Sequence, residues 1–442
     1  MARSSLFHPD FKAAPYWWEA YQPTATDPVD VPARVRVAIV GGGYGGLSTA
    51  LELARQGMEC VVLEAAELGF GASTRNGGAV SGGVNIGKSF SGKGLSVAPD
   101  RAEAMLADGF DAFTLIERLI AEEGIDCHWQ KNGRFVGAWT PGHYKYQESR
   151  LALLNAAAKS DSYMVPRERQ REEMASDFYY GGMVVERSAS LHPALYYKGL
   201  LDAARRRGVT VCAKAPVTRI TRENDGWLLR TARGEVRAHE VVIATNGYTG
   251  DITPELKRRV VPIASHIIAT EELPADLAAS LIPKLRTLSD TRRVLSYYRM
   301  SPDGRRVVYG GRPRFTQVGP EVSAPALHAH MTARFPQLKD ARITHAWTGN
   351  TAFTLDAVPH MGQQDGMHYL LGCNGSGVAV MTYLGWQTAR KITGAANRPS
   401  AFDAEDFPTH PMYNGNPWFL PAIGGWFRFR DAVDRRLAGL RG

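Results

Sequence analysis

The chain has 442 residues, 44% of them apolar and 22% charged, so it has enough apolar material for two domains with separate cores. Lys and Arg number 52 against 44 Asp and Glu, for a net charge of +8, but the two signs are interspersed along the chain. This distribution argues against a nucleic-acid partner and is typical of a solvated basic surface that favours anionic ligands.

The cysteines and the hydropathy pattern restrict the class of protein further. Cys60, Cys127, Cys212 and Cys373 lie far apart without zinc-like spacing, which predicts reduced thiols and no metal site. Residues 1–21 lack the apolar core of a signal peptide, and no stretch approaches the roughly 20 apolar residues of a membrane span. The sequence therefore predicts a cytoplasmic protein.

Residues 37–64 have the pattern of a strand, a glycine turn, a helix and a second strand. The turn fits G-x-G-x-x-G: Gly41 makes the tight turn, Gly43 lets backbone approach a pyrophosphate, and Gly46 packs helix against strand. Glu64 ends the second strand about 20 residues later, where an acid accepts hydrogen bonds from ribose hydroxyls. The unit predicts a dinucleotide site at a helix N-terminus, with a purely structural glycine turn as the alternative.

The rest of the chain contains two more glycine-rich segments and an alternating region. Residues 69–78 form a loop beside the predicted nucleotide, and residues 369–378 form a strand and glycine turn that enter a helix. Residues 255–340 suit an antiparallel sheet with one covered face. Helices are predicted at 100–125, 145–158, 193–207 and near 324–335, and strands at 134–139, 183–186, 209–213, 241–244, 260–269, 294–300 and 307–311, with a hairpin at 227–237.

Together these motifs resemble the FAD-dependent D-amino-acid oxidase family. Within it, the likeness is greatest to the γ-glutamylputrescine oxidase-like amine oxidoreductases, and it runs in the same order from about residue 35 to 395. The segments that carry it are the opening unit, 71–78, 244–247, the Tyr-Tyr-Arg strand at 297–299, Trp-Thr-Gly-Asn at 347–350, 354–362 and 375–378.

The resemblance implies an α/β and α+β fold, in which a Rossmann-like FAD-binding domain is interleaved with an antiparallel-sheet substrate domain. The FAD-binding domain would comprise 35–95, 182–252 and 341–397, the substrate domain 96–181 and 253–340, and the terminal extensions 1–34 and 398–442.

By the same resemblance, FAD would be held by the three glycine segments and by one backbone position facing adenine. These residues are Gly41, Gly43, Gly46, Glu64, Ser73, Arg75, Asn76, Gly77, Val217, Gly375, Ser376, Gly377 and Val378. A reduced flavin carries negative charge near N1, which N–H groups at a helix N-terminus stabilise.

Two departures from related sequences bear on the chemistry. Sarcosine-oxidase-like members tether the ring through a Cys near the position of Gly349 and place a Lys over it in the strand matching Arg306–Arg312; this chain has neither, so non-covalent FAD is expected. The nearest relatives tend to have His in the last glycine turn, where this chain has Ser376. That change leaves open the substrate and the acceptor, which is oxygen or an electron carrier.

Amine oxidation by a flavin depends mainly on positioning, since the amine must be neutral and its C–H must point at N5. Arg312, after two glycines at a strand end, is a candidate to bind a substrate carboxylate with two parallel hydrogen bonds. A solvated strand-end arginine is the alternative. His266 is the next candidate, and a structural histidine is its alternative reading.

Three more candidates come from the substrate strand and from the approach to the flavin. Tyr297 and Tyr298 point to opposite sides of one strand, so one belongs to the core and the other to the cavity; Tyr298 is taken as the site residue. By the family likeness, Trp347 and Asn350 lie near the flavin, although a buried Trp usually serves packing first.

The resulting hypothesis is FAD-dependent oxidation of the C–N bond of an amine or amino-acid-like substrate, specifically a γ-glutamylated amine, giving an aldehyde and ammonia. The alternatives are an N-methyl or D-amino-acid oxidase or dehydrogenase, and a non-catalytic flavin-binding scaffold. A nicotinamide dehydrogenase is disfavoured because the glycine segments 69–78 and 372–378 would have no task.

The C-terminal segments 417–420 and 426–430 mix aromatics with cations. For these segments, packing back on the protein is favoured over contact with a membrane surface.

Overall fold

The computed structural model describes residues 6–23, 29–81, 98–403 and 406–439. Its helices are α1 Tyr44–Arg55, α2 Pro99–Glu123, α3 Pro141–Ala157, α4 Pro193–Arg206, α5 Pro254–Lys257, α6 Ala275–Leu281, α7 Pro320–Arg334, α8 Gly377–Thr393 and α9 Leu420–Leu437. Its strands are β1 Phe7–Lys12, β2 Arg34–Val40, β3 Cys60–Leu63, β4 Ala79–Ser81, β5 Arg134–Gly137, β6 Ser162–Val165, β7 Gly182–Val185, β8 Ser188–Ser190, β9 Thr210–Cys212, β10 Val217–Glu223, β11 Gly226–Thr231, β12 Gly234–Ile243, β13 Val261–Thr270, β14 Thr287–Asp290, β15 Ser296–Met300, β16 Val307–Gly311, β17 Ile343–Phe353, β18 His360–Gln364 and β19 Met367–Leu371.

The first of two large sheets, here called the nucleotide sheet, has a parallel centre. Its order is β10-β11-β12-β2-β3-β9, and β19 pairs in parallel with the end of β12. The apolar runs of β2 and β3 are buried because helices cover the sheet. Helices α1 and α8 approach each other so closely that a Cβ on Gly385 would lie 2.2 Å from the Gly45 carbonyl oxygen.

The second sheet, here called the substrate sheet, has nine strands in the order β1-β17-β13-β16-β15-β14-β5-β7-β6. It is antiparallel except for the pairs β1-β17 and β14-β5. One face packs with α6 and α7 around a core that includes Ile268, Leu288 and Leu327. The other face is on the side of the nucleotide sheet. The predicted mixed fold is confirmed.

Three strands of the substrate sheet come from segments that the domain prediction assigned elsewhere, and the domain boundaries themselves stay a prediction. Strand β7 in segment 182–252 and strand β17 in segment 341–397 pair within the substrate sheet, not the nucleotide sheet. Strand β1 of the N-terminal extension forms an edge of the substrate sheet. Residues 82–95 of the first FAD-binding segment lie outside the described residues. Motif order did not reveal these pairings, because strand partners are set by long-range contacts.

Some elements also differ from the prediction. The second arm of the hairpin predicted at 227–237 and the strand predicted at 241–244 are parts of one continuous strand, β12. The first half of β12 pairs with β11, and its end pairs with β19. Strand β14, with the polar sequence Thr-Leu-Ser-Asp, and helix α9 were not predicted. Within the described ranges, no helix is both long and apolar enough to span a bilayer.

Candidate cofactor and substrate site

A cavity of about 920 Å³ lies between the two sheets. Its volume is near the upper end of the range for small-molecule sites, roughly 300–1,000 Å³. One end is formed by the glycine turn after β2 and by the loop 69–77, and the other by the open face of the substrate sheet. A single cavity therefore joins the predicted nucleotide site to the predicted substrate site.

The turn between β2 and α1 has a geometry that only glycine allows. Gly41 has a φ of +106°, and a Cβ there would lie 2.9 Å from the Ala244 carbonyl oxygen. A Cβ on Gly46 would lie 2.0 Å from the Gly41 carbonyl oxygen, so Gly46 lets α1 pack on β2. Gly43 caps α1 and lines the cavity. The positive end of the α1 dipole therefore faces the space where a pyrophosphate would lie.

Glu64 stands at the end of β3 and lines the cavity. Its carboxylate accepts hydrogen bonds from the Gly42 N–H at 2.8 Å and from the Ala66 N–H at 3.0 Å. These bonds fix an anionic acceptor beside the glycine turn, as a ribose site requires. Val217, the predicted adenine neighbour, lines the same end of the cavity.

The loop after β3 is held by bonds within itself and to α1. Ser73 Oγ accepts from the Tyr44 N–H at 3.1 Å, next to the cap of α1. Asn76 Oδ1 accepts from the Gly78 N–H at 2.9 Å, so this amide shapes its own turn. Ser73, Asn76 and Gly77 all line the cavity. The loop therefore brings both backbone and polar side chains to the predicted FAD position.

Two tryptophans outside this loop and one arginine within it hold the loop in place. The Trp17 indole N–H donates to the Asn76 carbonyl at 2.8 Å, and the Trp347 indole N–H donates to the Arg75 carbonyl at 2.7 Å. The Arg75 guanidinium donates to the Thr348 carbonyl at 3.1 Å, and burial lowers its pKa. Trp17 is fully buried. These bonds fix consecutive peptide groups of the loop.

The second glycine turn brings the N-terminus of α8 to the cavity. Asn374 and Gly375 both adopt positive φ, at +46° and +89°. Gly375, Gly377 and Val378 line the cavity, whereas Ser376 is not among the lining residues and makes no side-chain cap bond. The free N–H groups of α8 are thus available to a negative centre in the cavity.

Arg312 is a buried cation at the substrate end of the cavity. It is 8% exposed, its guanidinium carbon lies 4.9 Å from the centre of the Phe353 ring, and burial lowers its pKa. Its Nη2 lies 3.7 Å from the Cβ position of Gly375, beside the second glycine turn. Within the described residues, no carboxylate lies within ion-pair distance of it, and its buried Nε has no acceptor. A buried, unpaired cation is costly, so this site favours an anionic ligand.

The two neighbouring tyrosines of β15 lie on opposite faces of the sheet. The Tyr297 hydroxyl bonds to Ser265 Oγ at 2.8 Å, and both residues line the cavity. The Tyr298 ring stacks on Tyr309 in the core, and its hydroxyl bonds to Tyr179 at 3.3 Å. Tyr298 also contributes to the cavity lining, so its choice as the site residue stays a prediction, whereas Tyr297 is the tyrosine whose hydroxyl bonds to a neighbouring lining residue. Alternation predicted opposite faces, but only the packing of α7 shows which face is covered.

The structure does not place His266 at the cavity. Its strand neighbours Ser265 and Ile267 line the cavity, so alternation turns His266 to the opposite face. It is fully buried there, and burial lowers the pKa of its imidazole. Burial away from the cavity favours a structural role for His266 over substrate contact.

Trp347 and Asn350, both on β17, differ in how they meet the site. Trp347 is 1% exposed and is not among the cavity-lining residues; its indole acts through the Arg75 carbonyl. Asn350 lines the cavity, and its amide oxygen accepts from the Gln317 side chain. Trp347 is therefore a positioning residue, and Asn350 remains a candidate for ligand contact. Phe353, which was not predicted, packs against Arg312.

One cavity combines a turn that only glycine can form, an anionic acceptor beside that turn and two helix N-termini. These features define a dinucleotide-dependent oxidoreductase with a separate substrate sheet. Comparison with known proteins specifies the family. Residues 36–391 match the FAD dependent oxidoreductase family, DAO, so the chain belongs to this family and uses FAD.

Relatives in sequence support this assignment, and a solved structure supports the fold. The chain is 34% identical to gamma-glutamylputrescine oxidoreductase of Escherichia coli (strain K12), over 90% of this chain and 93% of the relative. It is 30% identical to the probable oxidoreductase OrdL of Haemophilus influenzae, over 86% and 87%. In fold it is similar to glycine oxidase from Geobacillus kaustophilus, with a TM-score of 0.71 at 19% identity, covering 86% of this chain and 99% of that chain.

We expect FAD to be bound without a covalent tether. A Cβ at Gly349 would lie 3.3 Å from the Arg75 Cβ, and glycine offers no sulfur there. Cys373 lines the cavity, but its thiol points to the Ala352 carbonyl oxygen at 3.7 Å. Acid precipitation should therefore release all the yellow colour as intact FAD into the supernatant. Colour retained in the washed pellet, and lost in Cys373→Ser, would instead show a tether to Cys373.

Replacement of Glu64 by alanine should weaken FAD binding. The charged acceptor would be lost, which costs on the order of 1.5–3 kcal/mol, or roughly tenfold to a hundredfold in the dissociation constant. Fluorescence titration of the apoprotein with FAD measures this change. Glu64→Gln is the matched control, since it keeps one acceptor oxygen and should retain part of the affinity. Equal affinity in the wild type and in Glu64→Ala would refute the placement of the ribose.

Proposed function

We propose that the protein oxidises the C–N bond of a primary amine that also carries a carboxylate, specifically a γ-glutamylated amine, to an aldehyde and ammonia. The name of the Escherichia coli relative, gamma-glutamylputrescine oxidoreductase, supports this substrate class. The proposal rests above all on one feature of the site, the buried and unpaired Arg312.

Arg312 can bind and orient the substrate through its carboxylate. A guanidinium binds two carboxylate oxygens with parallel bonds, and the desolvated position strengthens each of them. The Phe353 ring holds the guanidinium in place, and Gly375 leaves its open side free of a side chain. In a γ-glutamylated amine the glutamyl carboxylate would be bound here, while the distal amine extends to the reacting position.

The remaining groups exclude water and favour the neutral amine. Leu295, Phe315 and Phe353 form an apolar part of the cavity wall. Burial there disfavours an ammonium ion and so favours the form of the amine that can be oxidised. Tyr297 also lines the cavity; its hydroxyl bonds to Ser265 and burial raises its pKa, so it remains a neutral hydrogen-bonding group.

FAD, when bound, supplies the acceptor for the hydride that leaves the carbon next to nitrogen. The free N–H groups at the N-terminus of α8, which begins at Gly377, would stabilise the negative charge of the reduced flavin. Water then hydrolyses the imine product. The acceptor that restores the oxidised state is proposed to be oxygen or an electron carrier.

Product analysis separates this proposal from its rivals. The holoenzyme, with an artificial electron acceptor, is incubated separately with a γ-glutamylated diamine, an N-methyl amino acid and a D-amino acid. We expect the γ-glutamylated diamine to give an aldehyde and one equivalent of ammonia. Formaldehyde from the N-methyl amino acid, or a 2-oxo acid from the D-amino acid, at a higher rate would overturn the proposal in favour of that chemistry.

A further inference from the structure

Helix α9 presents one face to the body of the protein. The buried positions of the helix recur every three or four residues: Leu420, Gly424, Phe427, Asp431 and Arg435. The Phe427 ring lines the cavity and lies 6.3 Å from the Phe315 ring. The Asp431 carboxylate accepts from the backbone N–H groups of Arg293 and Val294, both at 3.1 Å. This inner face is therefore firmly packed and is part of the cavity wall.

The opposite face of α9 is also apolar, and most of it is exposed, with Val433 half-buried. Its stripe consists of Ala422, Trp426, Phe429, Val433 and Leu437, spaced by four, three, four and four residues. Trp426, Phe429 and Leu437 are 54%, 58% and 83% exposed, and the rings of Trp426 and Phe429 stack with centroids 5.7 Å apart. Trp418, just before the helix, is 65% exposed. A row of this kind marks an interaction surface.

The exposed charged side chains of α9 itself are all positive. Arg428, Arg430 and Arg436 are exposed, and within the described part of the chain no carboxylate pairs with them. The two acids of α9, Asp431 and Asp434, instead bind Arg293 on the protein side. The outer face of α9 is thus apolar and aromatic in the middle, with cations beside it.

We propose that the outer face of α9 docks on an anionic lipid surface. Exposed Trp and Phe side chains insert at the level of the headgroups, and flanking arginines contact lipid phosphates. A second copy of the chain fits less well, because two such faces packed together would bring unpaired arginines against each other. Since α9 is one helix thick, about 10–12 Å, docking would hold the Phe427 wall of the cavity close to the membrane. The proposal is independent of the substrate.

Vesicle flotation of the holoenzyme tests this proposal. Wild type should float with vesicles of phosphatidylcholine and phosphatidylglycerol, should bind phosphatidylcholine alone at least about tenfold less, and should be released by salt. Trp426→Glu and Phe429→Glu should lose flotation while keeping their FAD and its reduction by substrate. Val322→Glu is the matched control: Val322 is 60% exposed on α7, and its replacement should change nothing.

A second pair of variants guards against misfolding of the first. Arg430→Gln and Arg436→Gln keep the stripe and should each weaken binding to the anionic vesicles about fivefold, since each cation near such a surface contributes about 1 kcal/mol. Failure of the wild type to float with anionic vesicles at low salt would overturn the proposal. The proposal would also be overturned if the wild type does not bind vesicles but forms a dimer in analytical ultracentrifugation that Trp426→Glu dissociates. The outer face of α9 would then be an interface with a second copy of the chain.

Discussion

Replacing Arg312 by alanine is expected to slow flavin reduction by a carboxylate-bearing amine by about 30-fold to several thousand-fold. Losing a buried, charged contact costs about 2–5 kcal/mol, and this contact is proposed to orient the substrate. Arg312→Lys should recover only part of the rate, because an ammonium cannot form two parallel bonds to a carboxylate. The measurement is anaerobic stopped-flow reduction of the wild type and both variants.

The substrate pair provides the control for this prediction. One amine carries the free carboxylate and the other carries the same group amidated. The amidated analogue should reduce the wild type slowly and should respond little to Arg312→Ala. If the alanine variant slows both amines equally, Arg312 is structural. Because His266 faces away from the cavity, Asn350 would then be the next candidate to contact substrate.

Replacing Gly46 by alanine is expected to cost most of the FAD affinity. The added methyl group would lie 2.0 Å from the Gly41 carbonyl oxygen, a backbone atom that cannot move away without disturbing the turn. Overpacking of this kind costs about 1–3 kcal/mol, or roughly fivefold to 150-fold in affinity, and it should also lower the unfolding temperature.

Gly142→Ala is the matched control for Gly46→Ala. Gly142 is also in the first turn of a helix, but a Cβ there would lie 3.7 Å from Thr140 Oγ1, an ordinary contact. This variant should bind FAD as the wild type does. FAD titration and thermal unfolding of both variants check the prediction. Unchanged affinity in Gly46→Ala would mean that α1 does not hold the pyrophosphate.

The cofactor half of the site could be predicted from the sequence because its requirements are local. Gly41, Gly46 and Glu64 act within one strand, turn, helix and strand unit, and their spacing follows from that geometry. The antiparallel character of residues 255–340 was also visible in their alternation. The resemblance placed FAD and the mixed fold correctly.

The substrate half of the site depends on long-range packing, which cannot be predicted from the alternation of residues along one strand. Tyr297 and Tyr298 differ only in which face α7 covers, and His266 turns away from the cavity for the same reason. Trp17 was missed because nothing local to it shows that its indole reaches the Asn76 carbonyl, 59 residues later.

Helix α9 shows the reverse case, since the spacing of its apolar residues is present in the sequence. The spacing of Trp426, Phe429, Val433 and Leu437 is that of one helix face, and Leu420, Gly424 and Phe427 form the other. Two apolar faces on one helix weaken its amphipathic contrast, so periodicity alone does not mark this segment as a helix.

The cavity is proposed to hold FAD so that a carboxylate-bearing amine reduces it. The most direct measurement is an anaerobic titration of the wild-type holoenzyme with a γ-glutamylated diamine, followed by the absorbance of oxidised flavin. We expect complete bleaching at about one equivalent of substrate per flavin, and no bleaching by the same diamine without its glutamyl group. A flavin that no amine in a broad panel reduces would contradict this proposal and would favour a non-catalytic flavin-binding scaffold.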